Sequence, residues 1–240
     1  MTKIVGHRGA MGLAFQNTIS AIKTALKLDL YAIEIDVRLT ADGHLVLLHD
    51  ANTGKVSPTP VKIHDHTLAE LDAITLHNGD HIPTLEEVFK LVGSRVALML
   101  DIKDEGVAEP MLRLLAKYPT VQVFFSGRQY TDLKILHEAR PDIPFLIQHH
   151  FDPIDIIHNA HAMGAHGICL NMWLMNPLTY RMAKERQLEV YVYSVNSRWL
   201  LKFYQLLYPD AILITNHPTR LLGTHRLRQY IGPKKQQIKH

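Results

Sequence analysis

Short segments rich in β-branched residues alternate with amphipathic segments of helical length along almost the whole chain. This alternation limits the possible folds more than any other feature, because a repeated strand-helix order indicates a parallel sheet covered by helices. The strand-like segments are "KIVGH", "YAIEIDV", "RVALMLDIK", "TVQVFFS", "IPFLIQ", "HGICLN", "EVYVYSV" and "DAILITN". The length of 240 residues is close to the roughly 250 residues of a (β/α)8 barrel. The sequence therefore predicts an α/β protein with one TIM-type barrel domain over residues 1–240.

A further apolar segment, "HLVLLH", is not part of this parallel series. The connection that precedes it, "LTADG", is too short for a parallel crossover but suits a hairpin with Asp42 and Gly43 in the turn. We therefore expect an antiparallel return that folds His49 back toward Glu34 and Asp36. The irregular stretch "ANTGKVSPTPVKIHDHT" follows, and we interpret residues from about 39 to 82 as an insertion over the barrel mouth after the second strand.

Helix starts are indicated at three places. Asn17 precedes the amphipathic stretch "TISAIKTALKL". Thr67 with Glu70, and Thr84 with Glu87, have the spacing of a capping box, in which each side chain satisfies a backbone N–H group at the helix start.

Composition limits the possible partners and compartments. The formal charge of +3 comes from 26 Lys and Arg against 23 Asp and Glu, and only the tail at about 232–240, "GPKKQQIKH", is clearly basic. That tail is too short to indicate nucleic-acid binding. The single Cys169 excludes an intrachain disulfide and suits a reducing compartment. No signal peptide, bilayer-spanning stretch, basic amphipathic segment or exposed apolar anchor is evident.

We therefore expect a soluble, cytoplasmic protein without nucleic-acid binding and without stable membrane insertion. The sequence does not indicate an oligomeric state.

Three carboxylates occur near the ends of neighbouring predicted strands. Glu34 and Asp36 alternate on the second strand, so both side chains project from one face, and Asp101 ends the next parallel strand. Because chemistry in such barrels collects at the carboxyl ends of the strands, we expect these side chains to converge. Oxygen ligands of this kind suit a hard divalent cation such as Mg²⁺ or Ca²⁺ better than zinc. The alternative is an ordinary solvent-facing alternation.

Basic side chains occur at the same strand ends. Arg8 and Lys103 suit a phosphate group, or serve only as counter-ions for the carboxylates. His7 and His49 offer two groups that exchange protons near neutral pH. Asp50 orients His49 or caps the following turn. Together these residues predict metal-assisted attack on a phosphodiester.

With these residues the sequence resembles the glycerophosphodiester phosphodiesterase family. The matching segments are "GHRGA", "NTISAI", "IEIDVRLTADGHLVLLHD", "IPTLEEVF", "LDIK", "VYVYSVN" and "ILITNHP", in family order along nearly the whole chain. The resemblance implies a (β/α)8 barrel that hydrolyses glycerophosphodiesters to glycerol 3-phosphate and an alcohol with Mg²⁺ or Ca²⁺. The implied roles are an acid/base pair of His7 and His49, metal binding by Glu34 and Asp36, and phosphate contacts by Arg8 and Lys103.

Four positions depart from the family pattern. Asp101 stands where the family usually has Glu, which keeps the charge but shortens the side chain by one methylene. Gln16 replaces a Glu, Asn216 an Asp and Tyr193 a Trp. We expect the chemistry to be retained, with Asp101 as third metal ligand and Tyr193 as a substrate contact, while the preferred alcohol stays open. Trp173, in "NMWLM", forms either a substrate wall or ordinary core.

Two other functions stay open. A phosphoinositide-type phospholipase C shares the barrel shape and a two-histidine site, but it acts at membranes, so activity on vesicles above activity on soluble diesters would favour it. A non-catalytic phosphate-binding barrel would show no turnover.

Overall fold

Eight parallel strands form a closed barrel, which confirms the predicted fold. The computed structural model describes residues 2–148 and 152–222, and the predicted basic tail lies outside these ranges. Over them the sheet order is β1-β9-β8-β7-β6-β5-β4-β2-β3, and pairing of β1 with β2 closes the barrel. The strands are β1 (Ile4–Gly6), β2 (Ala32–Leu39), β3 (Leu45–Leu47), β4 (Ala97–Ile102), β5 (Val123–Gly127), β6 (Phe145–Gln148), β7 (Gly167–Asn171), β8 (Glu189–Tyr193) and β9 (Ile212–Thr215).

Helices connect the strands on the outside of the barrel. They are α1 (Ile19–Ala25), α2 (Leu68–Asp72), α3 (Leu85–Val92), α4 (Ala108–Lys117), α5 (Tyr130–Ala139), α6 (Pro153–Ala162), α7 (Pro177–Glu185), α8 (Arg198–Leu207) and α9 (Pro218–Leu221). Both predicted capping boxes are present, at the starts of α2 and α3.

The predicted start of α1 at Asn17 is wrong by one residue. Thr18 is the N-cap, and its hydroxyl accepts a hydrogen bond from the Ala21 N–H group at 3.2 Å. Asn17 has a positive φ of 52°, a conformation that Asn tolerates better than most residues. Its side chain instead contacts Asp36, as described below.

The antiparallel hairpin forms as the sequence predicts. Val37 on β2 pairs with Leu47 on β3, and Gly43 takes a φ of 81° in the turn. The Leu48 N–H group donates to the carbonyl of Asp36 at 3.2 Å, which brings the end of the hairpin beside β2.

The segment after the hairpin packs on a small apolar cluster of its own. Its buried members are Val46, Leu48, Val56, Ile63, Leu71, Ile74, Leu76 and Ile82. This cluster holds the hairpin against the barrel. His49 therefore directly follows a packed residue, Leu48, and does not lie on a free loop.

The barrel interior changes from apolar to charged toward the carboxyl ends of the strands. Its apolar cluster contains Val5, Ala32, Met99, Phe124, Leu146, Cys169, Tyr191, Ile212 and Ile214. Beyond this cluster, Asp36 lies level with Asp101, and Asp101 lies level with Ser126. The closed apolar floor confines polar chemistry to one end of the barrel. Among the described residues, none of the helices combines the length and the apolar character needed to cross a lipid bilayer.

Candidate active site

A cavity of about 650 Å³ opens at the carboxyl ends of the strands. All eight predicted site residues line it, namely His7, Arg8, Glu34, Asp36, His49, Asp101, Lys103 and Tyr193. The barrel thus brings together side chains from β1, β2, β4 and β8 and from the hairpin, although the sequence separates them by up to 186 residues, from His7 to Tyr193.

Three carboxylates converge at the floor of this cavity. Glu34, Asp36 and Asp101 are buried, and each offers an oxygen atom within 4.8 Å of the others. Burial raises the pKa of Glu34 well above its usual value, and the charges of Asp36 and Asp101 add to this effect. Burial also raises the pKa of Asp101. Such a cluster holds more negative charge than its surroundings easily stabilise, so it favours a cation or a proton.

Lys103 is the principal counter-ion of the cluster. Its ammonium lies 2.9 Å from Asp36 Oδ1 and 2.5 Å from Asp101 Oδ2. Burial opposes the charge of Lys103, but the two carboxylates outweigh it and raise its pKa. Burial likewise opposes ionisation of Asp36, yet Lys103 and Arg8 hold the pKa of Asp36 well below its usual value. These ion pairs place Lys103 at the carboxylate cluster, and its role as counter-ion or as phosphate contact stays a prediction.

Arg8 joins the cluster through both its main chain and its side chain. Its N–H group donates to Glu34 Oε2 at 2.7 Å, and its Nε lies 3.3 Å from Asp36 Oδ2. The guanidinium also donates to Gln16 Oε1 at 2.5 Å. Because Gln16 is neutral, it fixes the position of Arg8 without adding another negative charge.

Two amides that sequence reasoning did not assign to the site hold its carboxylates. Asn17 Nδ2 donates to Asp36 Oδ2 at 2.8 Å, and the Asp36 N–H group donates back to Asn17 Oδ1 at 3.2 Å. With its NH₂ group turned toward Asp101, the Gln148 amide lies 3.0 Å from both carboxylate oxygens. Asn17 was interpreted as a helix start, and nothing local in the sequence marks Gln148.

His7 is held by the amide of Asn216. The two side chains meet at 2.6 Å between His7 Nδ1 and Asn216 Oδ1. Since an amide oxygen only accepts hydrogen bonds, Nδ1 carries the proton and Nε2, 3.8 Å from Glu34 Oε2, presents its lone pair. Burial, assisted by the charge of Arg8, lowers the pKa of His7 to about 4. At neutral pH this imidazole is therefore an unprotonated base.

His49 has a different partner and a more open position. Its Nδ1 lies 2.9 Å from Asp50 Oδ1, so Asp50 orients the ring. Arg38 donates to the His49 carbonyl at 3.2 and 2.7 Å, and Arg38 is itself paired with Asp104. Burial lowers the pKa of His49, whereas Asp36 and Asp50 act in the opposite direction. A carboxylate partner can stabilise a protonated imidazole, which the amide beside His7 does less well.

The described lining of the cavity divides into two parts. Residues from 7 to 128 supply every Asp, Glu, Lys, Arg and His of this lining, and we call this part the charged half: His7, Arg8, Glu34, Asp36, Arg38, His49, Asp50, Ala51, Met99, Asp101, Lys103 and Arg128. The remaining residues form the neutral half: Gln148, Cys169, Asn171, Met172, Trp173, Tyr193, Ser194, Asn196, Ile214 and Asn216.

Trp173 and Tyr193 provide the large side chains of the neutral half. Trp173 is 84% exposed, so it forms a wall of the cavity mouth rather than core. Burial raises the pKa of Tyr193 to about 12, which keeps its hydroxyl protonated. The Asn216 N–H group donates to Asn196 Oδ1 at 2.9 Å, which fixes the loop that holds the partner of His7.

Comparisons with known proteins show which family the chain resembles. The model of the "Glycerophosphoryl diester phosphodiesterase family" matches residues 7–220. The chain is 26% identical over 239 residues to a glycerophosphodiester phosphodiesterase of Caldanaerobacter subterraneus, covering 94% of this chain and 98% of that one. A glycerophosphodiester phosphodiesterase of Bacillus altitudinis is 26% identical over 242 residues, with 92% and 96% covered.

Solved structures share the fold. An Oleispira antarctica phosphodiesterase, in complex with the product sn-glycerol-3-phosphate, superposes with a TM-score of 0.83 at 22% identity, covering 92% of this chain and 95% of that one. A glycerophosphodiester phosphodiesterase of Agrobacterium tumefaciens gives a TM-score of 0.78 at 22% identity, covering 92% and 99%.

Proposed function

The chain belongs to the glycerophosphoryl diester phosphodiesterase family, and from this premise we propose that it hydrolyses glycerophosphodiesters to glycerol 3-phosphate and an alcohol. The observation that carries the proposal is the convergence of three buried carboxylates with two cations and two histidines in one cavity. The proposal includes a cytoplasmic location and one catalytic domain over residues 1–240.

The carboxylate cluster fits a divalent cation, Mg²⁺ or Ca²⁺. Glu34, Asp36 and Asp101 offer only oxygen donors, as these hard cations require. Among the described residues, Asp36 Oδ1 accepts no hydrogen bond of good geometry, although the Lys103 ammonium lies 2.9 Å away. A metal ion would share this buried oxygen with the Lys103 ammonium. When bound, the ion would polarise a phosphoryl oxygen and offset its negative charge.

Arg8 and Lys103 bind the phosphate in this proposal. Both cations already lie at the carboxylate cluster, within 3.3 Å of Asp36. A guanidinium and an ammonium at fixed positions stabilise the negative charge that increases on the phosphoryl oxygens during the reaction.

His7 and His49 divide the proton transfers. The attacking oxygen, from water or from the neighbouring glycerol hydroxyl, loses its proton to His7 Nε2, because burial keeps this imidazole unprotonated. As the bond from phosphorus to the alcohol oxygen breaks, His49 donates a proton to that oxygen. If the glycerol hydroxyl is the attacking group, this step gives a cyclic phosphate, and water then adds to phosphorus and opens the ring to glycerol 3-phosphate. His49 takes the acid role because Asp36 and Asp50 favour its charged form and partly offset the lowering of its pKa by burial, whereas the hydrogen-bond partner of His7 is a neutral amide.

The neutral half of the cavity receives the organic groups. Tyr193 keeps its hydroxyl proton and can hydrogen-bond a glycerol hydroxyl, and Trp173 contacts the alcohol near the mouth. Amide and aromatic side chains do not require one particular charge on the alcohol, so several alcohols fit this half.

The test is hydrolysis by the full-length protein of glycerophosphocholine, glycerophosphoethanolamine and glycerophosphoglycerol, each with and without chelator. We expect glycerol 3-phosphate as product, loss of activity on chelation, and recovery with Mg²⁺ or Ca²⁺. A His49→Ala preparation controls for contaminating activity. Absence of turnover with every diester and either metal would contradict the proposal and favour a phosphate-binding barrel, and turnover confined to vesicle-borne phosphoinositides would favour the phospholipase alternative.

A further inference from the structure

Helix α8 exposes four large apolar side chains, which we call the α8 face. Trp199, Phe203, Leu206 and Leu207 are 72%, 41%, 81% and 44% exposed. The first three have the spacing i, i+4, i+7 and lie along one side of the helix. The rings of Trp199 and Phe203 stack with centroids 5.9 Å apart. The sequence alone does not make this exposed apolar surface evident.

Positive charge borders the α8 face. Arg198 and Lys202 are exposed on the same helix, whose sequence "RWLLKFYQLL" contains no acidic residue. The acids of the adjoining helix end and loop are already paired: Glu185 bonds Arg181 at 2.8 Å, and Asp210 lies 3.7 Å from Lys184. Within residues 2–148 and 152–222, no carboxylate forms an ion pair with Arg198 or Lys202, so the accessible surface of α8 combines apolar side chains with positive charge.

The α8 face adjoins the mouth of the cavity. Helix α8 begins five residues after Tyr193, the last residue of β8, and Trp199 lies in its first turn. Tyr204 also donates a hydrogen bond to the Met172 carbonyl at 2.9 Å, beside Trp173 at the cavity mouth. The start of the α8 face therefore follows the end of β8 closely in the chain, and this bond ties the helix to the segment that carries Trp173.

The sequence that follows the neighbouring helix α9 is also positively charged. Helix α9 packs against α8 and ends at Leu221. In sequence, the following residues 223–240 contain no Asp or Glu, and their basic residues are Arg226, Arg228, Lys234, Lys235 and Lys239.

We propose that the α8 face docks on the surface of a lipid bilayer that contains anionic headgroups. Trp, Phe and Leu side chains enter the boundary between headgroups and acyl chains, and nearby Lys and Arg attract the anionic lipids. Docking on the surface does not require a membrane-spanning helix.

The charge and size of the face distinguish this occupant from others. Residues 223–240 carry the same sign of charge as Arg198 and Lys202, so their sequence supplies no negative charge that would neutralise these two side chains. The face exposes roughly 400 Å² of apolar surface, taking about 150–250 Å² for a whole aromatic side chain. A standard interface of about 800 Å² per partner contains about 450 Å² of apolar surface, so area alone permits a second copy. In a two-fold dimer through this face, however, Arg198 and Lys202 would approach the same residues of the partner, which disfavours that occupant.

Docking would also bring the cavity close to the origin of its substrate. This consequence rests on the proposed function. Glycerophosphodiesters are the water-soluble remainder of glycerophospholipids after both acyl chains are hydrolysed, so a deacylation reaction at the bilayer must supply them. An enzyme docked beside its cavity mouth would meet them where they are released.

Vesicle flotation with the full-length protein tests the proposal. Phosphatidylcholine vesicles with and without phosphatidylglycerol are compared, and we expect binding to the anionic vesicles that weakens with salt. The double variant Trp199→Ala/Leu206→Ala should lower the partition coefficient at least tenfold, about 1.4 kcal/mol. Ile135→Ala on α5, where Ile135 is 45% exposed, is the matched control and should bind as wild type. Lys202→Glu should weaken binding only to the anionic vesicles.

Fluorescence locates the contact. The chain has two Trp residues, so in a Trp173→Phe variant the emission reports Trp199 alone. A blue shift on adding anionic vesicles supports insertion of Trp199. The proposal is overturned if the double variant floats like wild type, or if Lys234→Gln/Lys235→Gln abolishes binding while the double variant does not. It is also overturned if sedimentation shows a dimer that the double variant dissociates and no vesicle binding.

Failure of docking and failure of the proposed function give different results. Hydrolysis of soluble diesters without vesicles tests only the function, and we expect Trp199→Ala/Leu206→Ala to leave it unchanged. Flotation does not depend on turnover. Binding to vesicles without hydrolysis would therefore support the docking proposal and contradict only the proposed function.

Discussion

The charged and neutral halves of the cavity face the same substrate but are built differently. In the charged half, buried ions contact one another directly, as when Lys103 touches both Asp36 and Asp101. In the neutral half, amides fix main-chain positions and orient partners, as Asn196 does for Asn216. None of the described residues in the neutral half carries a formal charge at neutral pH.

The difference follows from the cost of burying charge. An ion that loses its water needs a partner at a fixed distance, so the charged half tolerates little change. Amides and aromatic rings lose less hydration and adapt to different ligands. We therefore expect the charged half to determine whether the reaction occurs and the neutral half to determine which alcohol leaves and at what pH.

The largest effect is expected at Asp36, the carboxylate with the most partners. Asp36→Asn keeps the shape but removes the charge that faces Lys103 and Arg8. We expect kcat/KM for glycerophosphocholine to fall at least about 10³-fold, because the cation and phosphate sites lose a shared anion. Circular dichroism checks that the variant is folded. Activity within tenfold of wild type would exclude Asp36 from the reacting part of the cavity.

The second effect separates the two histidines. His7→Ala and His49→Ala should each lower the rate with glycerophosphocholine by roughly 10²- to 10⁴-fold. A glycerophosphodiester with a nitrophenolate leaving group needs little protonation, so it should restore the rate of His49→Ala but not that of His7→Ala. Equal rescue of both variants, or of neither, would mean that the histidines bind phosphate rather than divide the proton transfers.

Some features of the fold and of the cavity could be predicted from the sequence, and others could not. The barrel and the charged strand ends could be predicted because strand periodicity and the spacing of Glu34 and Asp36 are local. The hairpin was also predictable, because the connection containing Asp42 and Gly43 permits only an antiparallel return. The capping boxes were predictable because each lies within four consecutive residues.

Contacts between distant residues were not predictable. Asn216 meets His7 across 209 positions, and Gln148 meets Asp101 across 47 positions, so only the closed barrel reveals either pair. Asn17 was misinterpreted because an Asn before an apolar run is usually a cap. The exposure of Trp199 was hidden because α8 has apolar residues on both its buried and exposed sides, which obscures the amphipathic pattern.

The third effect concerns the shorter third carboxylate. Asp101→Asn should raise the Mg²⁺ or Ca²⁺ concentration for half-maximal activity by about 10- to 100-fold, a loss typical of a disturbed metal site. Asp101→Glu is the matched control because it keeps the charge and changes only the reach. Calorimetry measures the affinity directly, and unchanged affinity in Asp101→Asn would remove this residue from the ligand set.

The fourth effect places a charge in the neutral half. In wild type the pKa of His7 is lowered to about 4, so the base should stay active down to about pH 5. Asn216→Asp puts a carboxylate on His7 Nδ1, favours the protonated imidazole and raises its pKa. The acid limb of kcat/KM should therefore move up by about one pH unit. Asn171→Asp adds the same charge without contacting His7 and should leave the limb in place; an identical shift in both variants would indicate a general charge effect.

The smallest effect is expected at Trp173, which contributes contact but neither charge nor proton. Its ring forms an exposed wall of the neutral half, and such a ring attracts a quaternary ammonium group by about 0.5–1 kcal/mol at an exposed site. Trp173→Ala should therefore lower kcat/KM for glycerophosphocholine by roughly 2- to 5-fold. The value for glycerophosphoglycerol should change less, because its alcohol carries no positive charge. Trp173 lies in the neutral half, whereas the proposed metal ligands lie in the charged half. The metal concentration for half-maximal activity should therefore stay the same. An equal loss with both diesters, or a changed metal requirement, would mean that the two halves do not act separately.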